Sequence, residues 1–203
     1  MVRSRVLSAS FYDRPTLEVA ADLIGKVLVH TFRGKRTSGL IVEVEAYIGE
    51  EDPACHAAPG PTKRNQPLYG PPGRAYVYLN YGIHHLVNAV TEREGFPAAV
   101  LIRALEPLEN VAAMRRRRGR LRKGGGGAID DMQLCSGPGN LTVALGITPR
   151  HNRADLVRGS VTIEDQGLPK RPISWTPRIG ISVGKKHRWR CIAAGSPAIS
   201  PYS

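Results

Sequence analysis

Two apolar runs joined by a short turn constrain the fold of this chain most. KVLVHTF at 26–32 is followed by the turn RGKR at 33–36 and then by LIVEVEAYI at 40–48, a pattern that predicts an antiparallel β-hairpin. AYVYLNYGIHHLVNAV at 75–90 predicts a second hairpin, with Gly82 near its turn. Because the strands come in hairpins and do not alternate regularly with helices, the sequence predicts a mixed α+β fold.

The other segments predict helices, strands and one long irregular stretch. FYDRPTLEVAADLIG at 11–25 predicts a helix with Pro15 in its first turn and Gly25 at its end. Pro107 is expected to open another helix, through Met114, after the buried strand AAVLIRAL. CSGPGNLTVALGI predicts a turn entering a short helix, residues 49–73 predict an irregular loop, and strands are predicted over VTIED, PRIGISVG and WRCIAA.

The charge of the chain favours a polyanionic partner. Lys and Arg number 29 against 17 acidic residues, which gives a net charge of +12 and a pI near 10.1. Nucleic acid is the first candidate and an anionic membrane the second, while a merely solvated basic surface remains the plain alternative. Seven of the basic residues lie between Arg115 and Lys123, ahead of four glycines. We expect a mobile basic, Gly-rich loop at 115–130 that contacts phosphates.

Length, cysteine content and hydropathy indicate the domain number and the expected location of the protein. The 203 residues fit one domain, 1–203. The three cysteines do not suggest a disulfide framework, and only Cys55-His56 with His84-His85 offers a weak candidate zinc site. No signal peptide or membrane-spanning run is recognised. The expected location is therefore cytoplasmic, and nucleoid-associated if the source is prokaryotic.

Acidic and aromatic residues concentrate on two of the predicted strands. Alternation puts Leu40, Val42, Val44, Ala46 and Ile48 on one face of their strand, and Ile41, Glu43, Glu45 and Tyr47 on the other. The second face predicts a polar groove, unless it is an ordinary solvent face. Four of the seven tyrosines lie within thirteen residues at 69–81, a density that suits stacking on nucleobases and also fits a tyrosine-rich surface hairpin.

Four ordered segments of the chain resemble one family. IVEVEAYIGEEDPACH, YGPPGRAYVYLNYG, LIRALEPLE and LCSGPGNLTVALGI are similar to the alkyladenine (3-methyladenine) DNA glycosylases, over a stretch from about Phe11 to near the C-terminus. The resemblance implies a single domain with a curved, largely antiparallel sheet, surrounding helices and a protruding β-hairpin that inserts into DNA. It also implies a monomeric base-excision enzyme, without cofactor or metal, whose partner is double-stranded DNA containing damaged purines. Such an enzyme flips 3-methyladenine, hypoxanthine and similar bases out of the duplex and hydrolyses the N-glycosidic bond without lyase activity.

The resemblance also implies roles for individual residues. Glu45 corresponds to the family's catalytic acid, which activates the attacking water, and Arg103 to the arginine beside that water. The remaining matches concern the base and the DNA: Tyr47, His56 and Tyr78 sandwich the flipped base, Asn88 crowds the exocyclic amine of normal guanine, and Tyr81 fills the vacated space in the duplex. Apart from these matches, Lys63 and Arg64 in PTKRN are expected to contact phosphates, although the family more often has proline where Lys63 stands.

The strand pattern is compatible with that chemistry, since Glu45 and Tyr47 share a face and one strand can supply both a carboxylate and a pocket wall. Two other functions stay open at this point. One is a metal-dependent nuclease with Glu43, Glu45, Glu51 and Asp52 as ligands, although their spacing is not distinctive. The other is a nucleic-acid-binding module without catalysis, against which the pair of Glu45 and Arg103 argues.

Overall fold

The computed structural model describes residues 4–121 and 128–200 and has the α+β fold that the sequence predicts. Its strands are β1 (Arg5–Val6), β2 (Val27–Phe32), β3 (Lys35–Ile48), β4 (Ala75–Asn80), β5 (His84–Val90), β6 (Ala98–Glu109), β7 (Val161–Asp165), β8 (Ile173–Thr176) and β9 (Arg190–Ala193). Its α-helices are α1 (Ala9–Tyr12), α2 (Thr16–Leu23), α3 (Val111–Gly119) and α4 (Pro138–Leu145). Short 3₁₀ turns cover Gln66–Tyr69, Asp131–Gln133 and Pro149–His151.

All the strands join one antiparallel sheet in the order β1-β7-β2-β3-β6-β5-β4, and β9 pairs with both β3 and β8. Both predicted hairpins are confirmed, as β2–β3 and β4–β5. None of the helices in the described ranges is long and apolar enough to cross a bilayer. The sheet therefore provides the frame, and the helices pack on it around a single large apolar core.

Strand β3 lies at the centre of this sheet and is buried on both faces. It pairs with β2 through residues 35–40, with β6 through residues 38–48 and with β9 through residues 43–45. The predicted core face is confirmed from Leu40 to Ala46, whereas Ile48 is only half-buried. The opposite face is not a solvent face, because Glu43 and Glu45 are both fully buried. Two carboxylates inside a protein require compensating donors.

Two β-bulges shape the centre of the sheet. The pairing of β3 with β6 steps from Ile41↔Leu105 to Glu43↔Ala104 and then to Val44↔Ile102, so Val42 and Arg103 each stand outside the ladder. Bulges re-aim side chains and are frequent beside active sites. Here the second bulge directs Arg103 towards the two buried glutamates.

The predicted helix at 11–25 is in fact two helices. α1 ends at Tyr12, and Pro15 stands just before α2, where its carbonyl accepts hydrogen bonds from the backbone N–H groups of Glu18 and Val19. A residue that precedes proline disfavours the helical region, so Arg14 interrupts the helix. Gly25, with a φ of +85°, lies just beyond the end of α2.

Pro107 does not open a helix, contrary to the expectation from sequence. It lies within β6 opposite Gly39, and the strand continues to Glu109, whose carboxylate accepts a hydrogen bond from the hydroxyl of Ser38. Asn110 then takes a left-handed conformation with a φ of +59°, and α3 begins after it. Asparagine tolerates this conformation better than most residues, so the turn, and not the proline, sets the start of the helix.

PRIGISVG was expected to be a strand, but residues 177–184 are irregular. Gly180 and Gly184 both have positive φ, which breaks an extended run. The backbone N–H of Ile179 donates to the carboxylate of Glu45 instead of to a neighbouring strand. WRCIAA is confirmed as a strand in its central part, β9.

The arginine-rich segment is helical at its start. Residues 115–119 form the second half of α3, and residues 122–127 lie outside the described ranges, so the mobility expected for 115–130 stays a prediction. Arg115 donates to Asp131, Arg117 to the carbonyl of Ala144, and Arg118 to Asn140. These arginines therefore also tie α3 to its neighbours.

The close approach of β3 and β6 at Gly39 generates a test of the fold. A Cβ atom at this position would lie 2.8 Å from Cβ of Leu105 and 3.0 Å from the carbonyl oxygen of Glu106. We expect Gly39→Ala to lower the free energy of unfolding by about 1–3 kcal/mol, as overpacking does. Urea unfolding measures this change. The control is Gly119→Ala, since the described residues leave its Cβ position open and its φ is not positive; equal unfolding midpoints for the two variants would contradict the packing.

Candidate active site

A cavity of about 350 Å³ opens beside the buried glutamates. Its size falls in the range of small-ligand sites. The predicted residues Tyr47, His56, Tyr78, Tyr81, Asn88 and Arg103 all line it, together with Tyr76, Leu101, Pro138 and the backbone at 179–181. The sheet and two loops thus bring together residues that are up to 134 positions apart in the chain.

Glu45 lies just behind the wall of this cavity. Its side chain is fully buried and accepts three hydrogen bonds: from the Tyr47 hydroxyl at 2.8 Å, from Nη1 of Arg103 at 3.1 Å and from the backbone N–H of Ile179 at 2.7 Å. All three donor residues line the cavity. Burial raises the pKa of Glu45 above its ordinary value, although Arg103, Ile179 and Tyr47 act in the opposite direction. The carboxylate is therefore both fixed and more basic than a free one.

Arg103 is shared between the two carboxylates of β3. Its Nε donates to Glu43 at 2.8 Å, and Glu43 also accepts from Nε of Arg190 at 2.7 Å and from the backbone N–H of Ser200 at 2.7 Å. Burial alone would raise the pKa of Glu43, but Arg103, Ser200 and Arg190 together lower it. Glu43 therefore stays ionised and holds Arg103 against Glu45.

Three aromatic rings form one wall of the cavity. Tyr76 and Tyr78 stack with ring centroids 5.1 Å apart, and His56 meets Tyr78 edge-on at 4.4 Å. A hydrogen bond of 3.0 Å joins Nδ1 of His56 to the hydroxyl of Tyr76. Burial and the nearby Arg64 lower the pKa of His56, so the imidazole is neutral at physiological pH. This wall offers flat, largely uncharged surfaces to a ligand.

Asn88 stands opposite Tyr76 in the β4–β5 pairing. Its side-chain NH₂ donates to the carbonyl of Tyr76 at 3.0 Å, which fixes the orientation of the amide, and the residue is buried. Because the amide is fixed in the cavity wall, it would clash with a bulky ligand group and could not move aside for it.

Tyr81 occupies the tip of the β4–β5 hairpin. Its φ is +48° and that of Gly82 is +71°, and the N–H of Ile83 donates to the carbonyl of Asn80 at 3.0 Å, as in primed hairpin turns. Positive φ is strained for a bulky residue, and such strain is concentrated at functional sites. The side chain is 85% exposed yet borders the cavity, so an aromatic ring projects from the protein beside the opening.

Lys63 and Arg64 differ in their placement. Arg64 donates to the carbonyl of Leu79 at 3.2 Å and its guanidinium lies 5.7 Å from the ring centroid of Tyr78, so it links its loop to the hairpin. Lys63 is exposed and does not line the cavity. Both remain available to a ligand outside the cavity.

Three residues at the site were not predicted from the sequence. Tyr76 closes the aromatic wall, the N–H of Ile179 binds Glu45, and Arg178 pairs with Asp52 behind Tyr47. The tyrosine-rich run held a signal for Tyr76. The strand predicted over PRIGISVG gave no sign of a role at the site, so only the buried three-dimensional contacts reveal that segment.

Three of the four carboxylates considered as metal ligands already have other partners, and the fourth, Glu51, is exposed. Both oxygens of Glu43, Glu45 and Asp52 accept hydrogen bonds, and each of these residues pairs with an arginine. Within 4–121 and 128–200, no group of three or more His, Cys, Asp or Glu is arranged to hold a metal ion. These carboxylates are therefore arranged to pair with arginine, and the arrangement does not favour a metal-dependent nuclease.

Comparison with known proteins agrees with this geometry. Residues 10–197 match the model of the methylpurine-DNA glycosylase family. A protein of Chlorobaculum tepidum is 45% identical over 196 residues, covering 96% of this chain and 90% of the relative. A protein of Methanocella arvoryzae is 46% identical over 199 residues, covering 96% of each. Both bear the name "Putative 3-methyladenine DNA glycosylase". By family match and by near full-length identity, this chain belongs to the methylpurine-DNA glycosylase family.

Proposed function

We propose that this DNA glycosylase flips alkylated or deaminated purines, such as 3-methyladenine and hypoxanthine, out of duplex DNA and hydrolyses their N-glycosidic bond. The observation that carries the proposal is Glu45, a buried carboxylate bonded to three residues that line an aromatic-walled cavity. We also propose that one copy of the chain suffices for the reaction, because Glu45 and its three hydrogen-bond donors all belong to it. The product is an abasic strand that is not cut.

Glu45 is proposed as the base for the attacking water. Loss of the purine develops positive charge on the sugar, and a nearby carboxylate stabilises that charge while it accepts a proton from water. The raised pKa of Glu45 makes it a stronger base. Arg103 divides its hydrogen bonds between Glu43 and Glu45, so its charge is not devoted to Glu45 alone.

Base selection is proposed to combine aromatic contact with steric exclusion. Tyr47, His56 and Tyr78 line the cavity, and an aromatic face favours a cationic alkylated purine over a neutral base by about 0.5–2 kcal/mol. That preference is modest. We assign the remaining discrimination to Asn88, whose fixed amide would crowd the exocyclic amine of guanine.

When a base leaves the duplex and enters the cavity, another group must fill the space that it leaves in the base stack. Tyr81 at the hairpin tip is proposed to fill the vacated space, since its ring is exposed and stands beside the cavity. Lys63 and Arg64 are proposed to contact the phosphates that flank the flipped nucleotide. The net charge of +12 supports this general attraction to DNA.

Glu45→Gln tests the catalytic assignment. We expect the single-turnover excision rate on an oligonucleotide with one hypoxanthine to fall by about 10²–10⁴-fold, the usual loss when a general base is removed. Binding to abasic-site DNA reports whether the pocket is still folded. Glu109→Gln is the control, because this exposed carboxylate pairs with Arg36 far from the cavity and its loss should leave the rate unchanged. A wild-type rate for Glu45→Gln would remove Glu45 from catalysis.

The absence of lyase activity has its own test. Among the described residues no lysine lines the cavity, so no amine is placed to form a Schiff base with the sugar. We expect borohydride to trap no covalent complex, and the product strand to break only after treatment with alkali. A borohydride-trapped protein–DNA complex would contradict this expectation.

Tyr81→Ala and Tyr78→Ala separate insertion from base binding. Stacking is worth about 1–3 kcal/mol per base, comparable to the few kcal/mol that flipping costs. Tyr81→Ala should therefore lose more activity on a well-paired lesion than on the same lesion opposite a mismatch, whereas Tyr78→Ala should lose activity on both. Single-turnover excision and 2-aminopurine fluorescence measure the two steps.

The matched control for insertion is Ile83→Ala, which removes a neighbouring exposed apolar side chain from the same turn. It should not reproduce the dependence on pairing. Equal losses for Tyr81→Ala in both pairing contexts would leave Tyr81 without the insertion role.

A further inference from the structure

A second buried ion pair lies behind the cavity, between Arg178 and Asp52. Two parallel hydrogen bonds join the side chains, at 2.6 Å and 2.7 Å, and both side chains are completely buried. Removing two charges from water is expensive, so such a pair contributes little net stability compared with apolar packing. Net stability therefore does not explain this buried ion pair, and another role has to be considered.

The pair connects three segments that form the cavity. Arg178 also donates to the carbonyl of Ala46 in β3 at 3.0 Å. Asp52 in turn accepts from the backbone N–H groups of Ile48 and Ala54, at 3.3 Å and 3.1 Å, which organises the loop that carries His56. One guanidinium thus holds β3, the His56 loop and its own segment together.

Arg178 also supports the ring of Tyr47. The guanidinium carbon lies 4.6 Å from the ring centroid of Tyr47 and 5.1 Å from that of Trp189, so the cation is packed between two aromatic rings. Cation–π contacts of this kind are strengthened when the cation is desolvated. Tyr47 lines the cavity, and its hydroxyl donates a hydrogen bond to Glu45. Its position therefore affects both the shape of the cavity and the contacts of the carboxylate.

The residue after Arg178, Ile179, forms a hydrogen bond with the proposed base, Glu45. The N–H of Ile179 donates to Oε1 of Glu45 at 2.7 Å, and this N–H lowers the pKa that burial raises. Since residues 177–184 form no strand, no ladder of hydrogen bonds fixes this N–H. The side chain of Arg178, anchored on Asp52, holds the residue immediately before this N–H.

We propose that the Arg178–Asp52 pair is a positioning device for base excision, which holds the Ile179 N–H and the Tyr47 ring in place on Glu45. This inference rests on the function proposed above, since it assigns a role only if Glu45 is the base. Arg178 touches neither water nor sugar in this role; it acts through its two neighbours.

The role has a pH signature. Glu45 must be ionised to accept a proton, so the excision rate falls as the pH drops through the pKa of Glu45, which lies above the ordinary glutamate value. Weakening the hold on the Ile179 N–H removes a bond to the carboxylate and raises this pKa further. The acid limb of the pH–rate profile should therefore move to higher pH. A purely structural defect lowers the active fraction by the same factor at every pH and leaves the limb in place.

The test compares Arg178→Lys with Arg36→Lys in single-turnover excision of a cationic alkylated purine, from acid to neutral pH. Arg36 is the matched control, because it makes a similar two-bond pair with Glu164, at 3.0 Å for both bonds, at the far end of β3. For Arg178→Lys we expect a loss of about tenfold to a hundredfold at neutral pH. We also expect an acid limb shifted upward by about one unit, the effect of roughly one backbone N–H on a carboxylate. Arg36→Lys should shift neither.

Two results for a folded Arg178→Lys would overturn the inference. One is an acid limb of the pH–rate profile that does not move, and the other is a wild-type excision rate. Should Arg178→Lys fail to fold by circular dichroism and abasic-DNA binding, Asp52→Glu carries the same expectation, because it keeps the negative charge while displacing the carboxylate that anchors Arg178. Failure of the wild-type protein to excise any damaged purine would instead refute the proposed function. The two failures are therefore distinguishable.

Discussion

The ionic contacts of Glu43, Arg103 and Glu45 are the constraint on which the rest of the structure depends. Two carboxylates on the central strand of a sheet are fully buried, so their charges must be balanced by other groups of the protein. A bulge in β6 turns Arg103 towards both, β9 brings Arg190 alongside, and the backbone N–H of Ser200 completes the shell of Glu43. The chain after β7 thus supplies three of the groups that bond the two carboxylates, from Ile179, Arg190 and Ser200.

Local pattern predicted the parts of the fold that depend on near neighbours, and it missed the parts that depend on distant ones. Both hairpins and the placement of Tyr81 at a turn follow from apolar alternation and turn residues. The cavity wall at 179–181 does not, because the bond from Ile179 to Glu45 spans 134 positions and that from Arg178 to Asp52 spans 126.

The wrong assignments have the same origin, in tertiary contacts that overrode the local signal. Proline at 107 is a helix-start signal in isolation, yet the pairing of β6 with β3 extends past it to Glu109. The run PRIGISVG has the composition of a strand, but the N–H of Ile179 donates to a buried carboxylate and the glycines turn the chain. Glu45, Tyr47 and Arg103 were predicted by residue type and by family resemblance. Ile179, which bonds Glu45, and Arg178, which lies against the ring of Tyr47, carried no signal of such contacts in the sequence.

The site divides into a rigid part and an adaptable part, and this division fits the two steps that base excision demands. Glu45, Arg103 and Asn88 are buried and hydrogen-bonded within the protein, so in the proposed reaction they need little reorganisation, which is the condition under which electrostatic stabilisation is most effective. The hairpin tip differs, because Tyr81 is 85% exposed and has a positive φ. Since damaged bases differ in how firmly they pair, an adaptable tip can respond to the duplex while the pocket behind it keeps one geometry. In the proposed mechanism, selectivity for damage is the product of two preferences, the ease of extrusion and the fit in the cavity, and neither needs to be large alone.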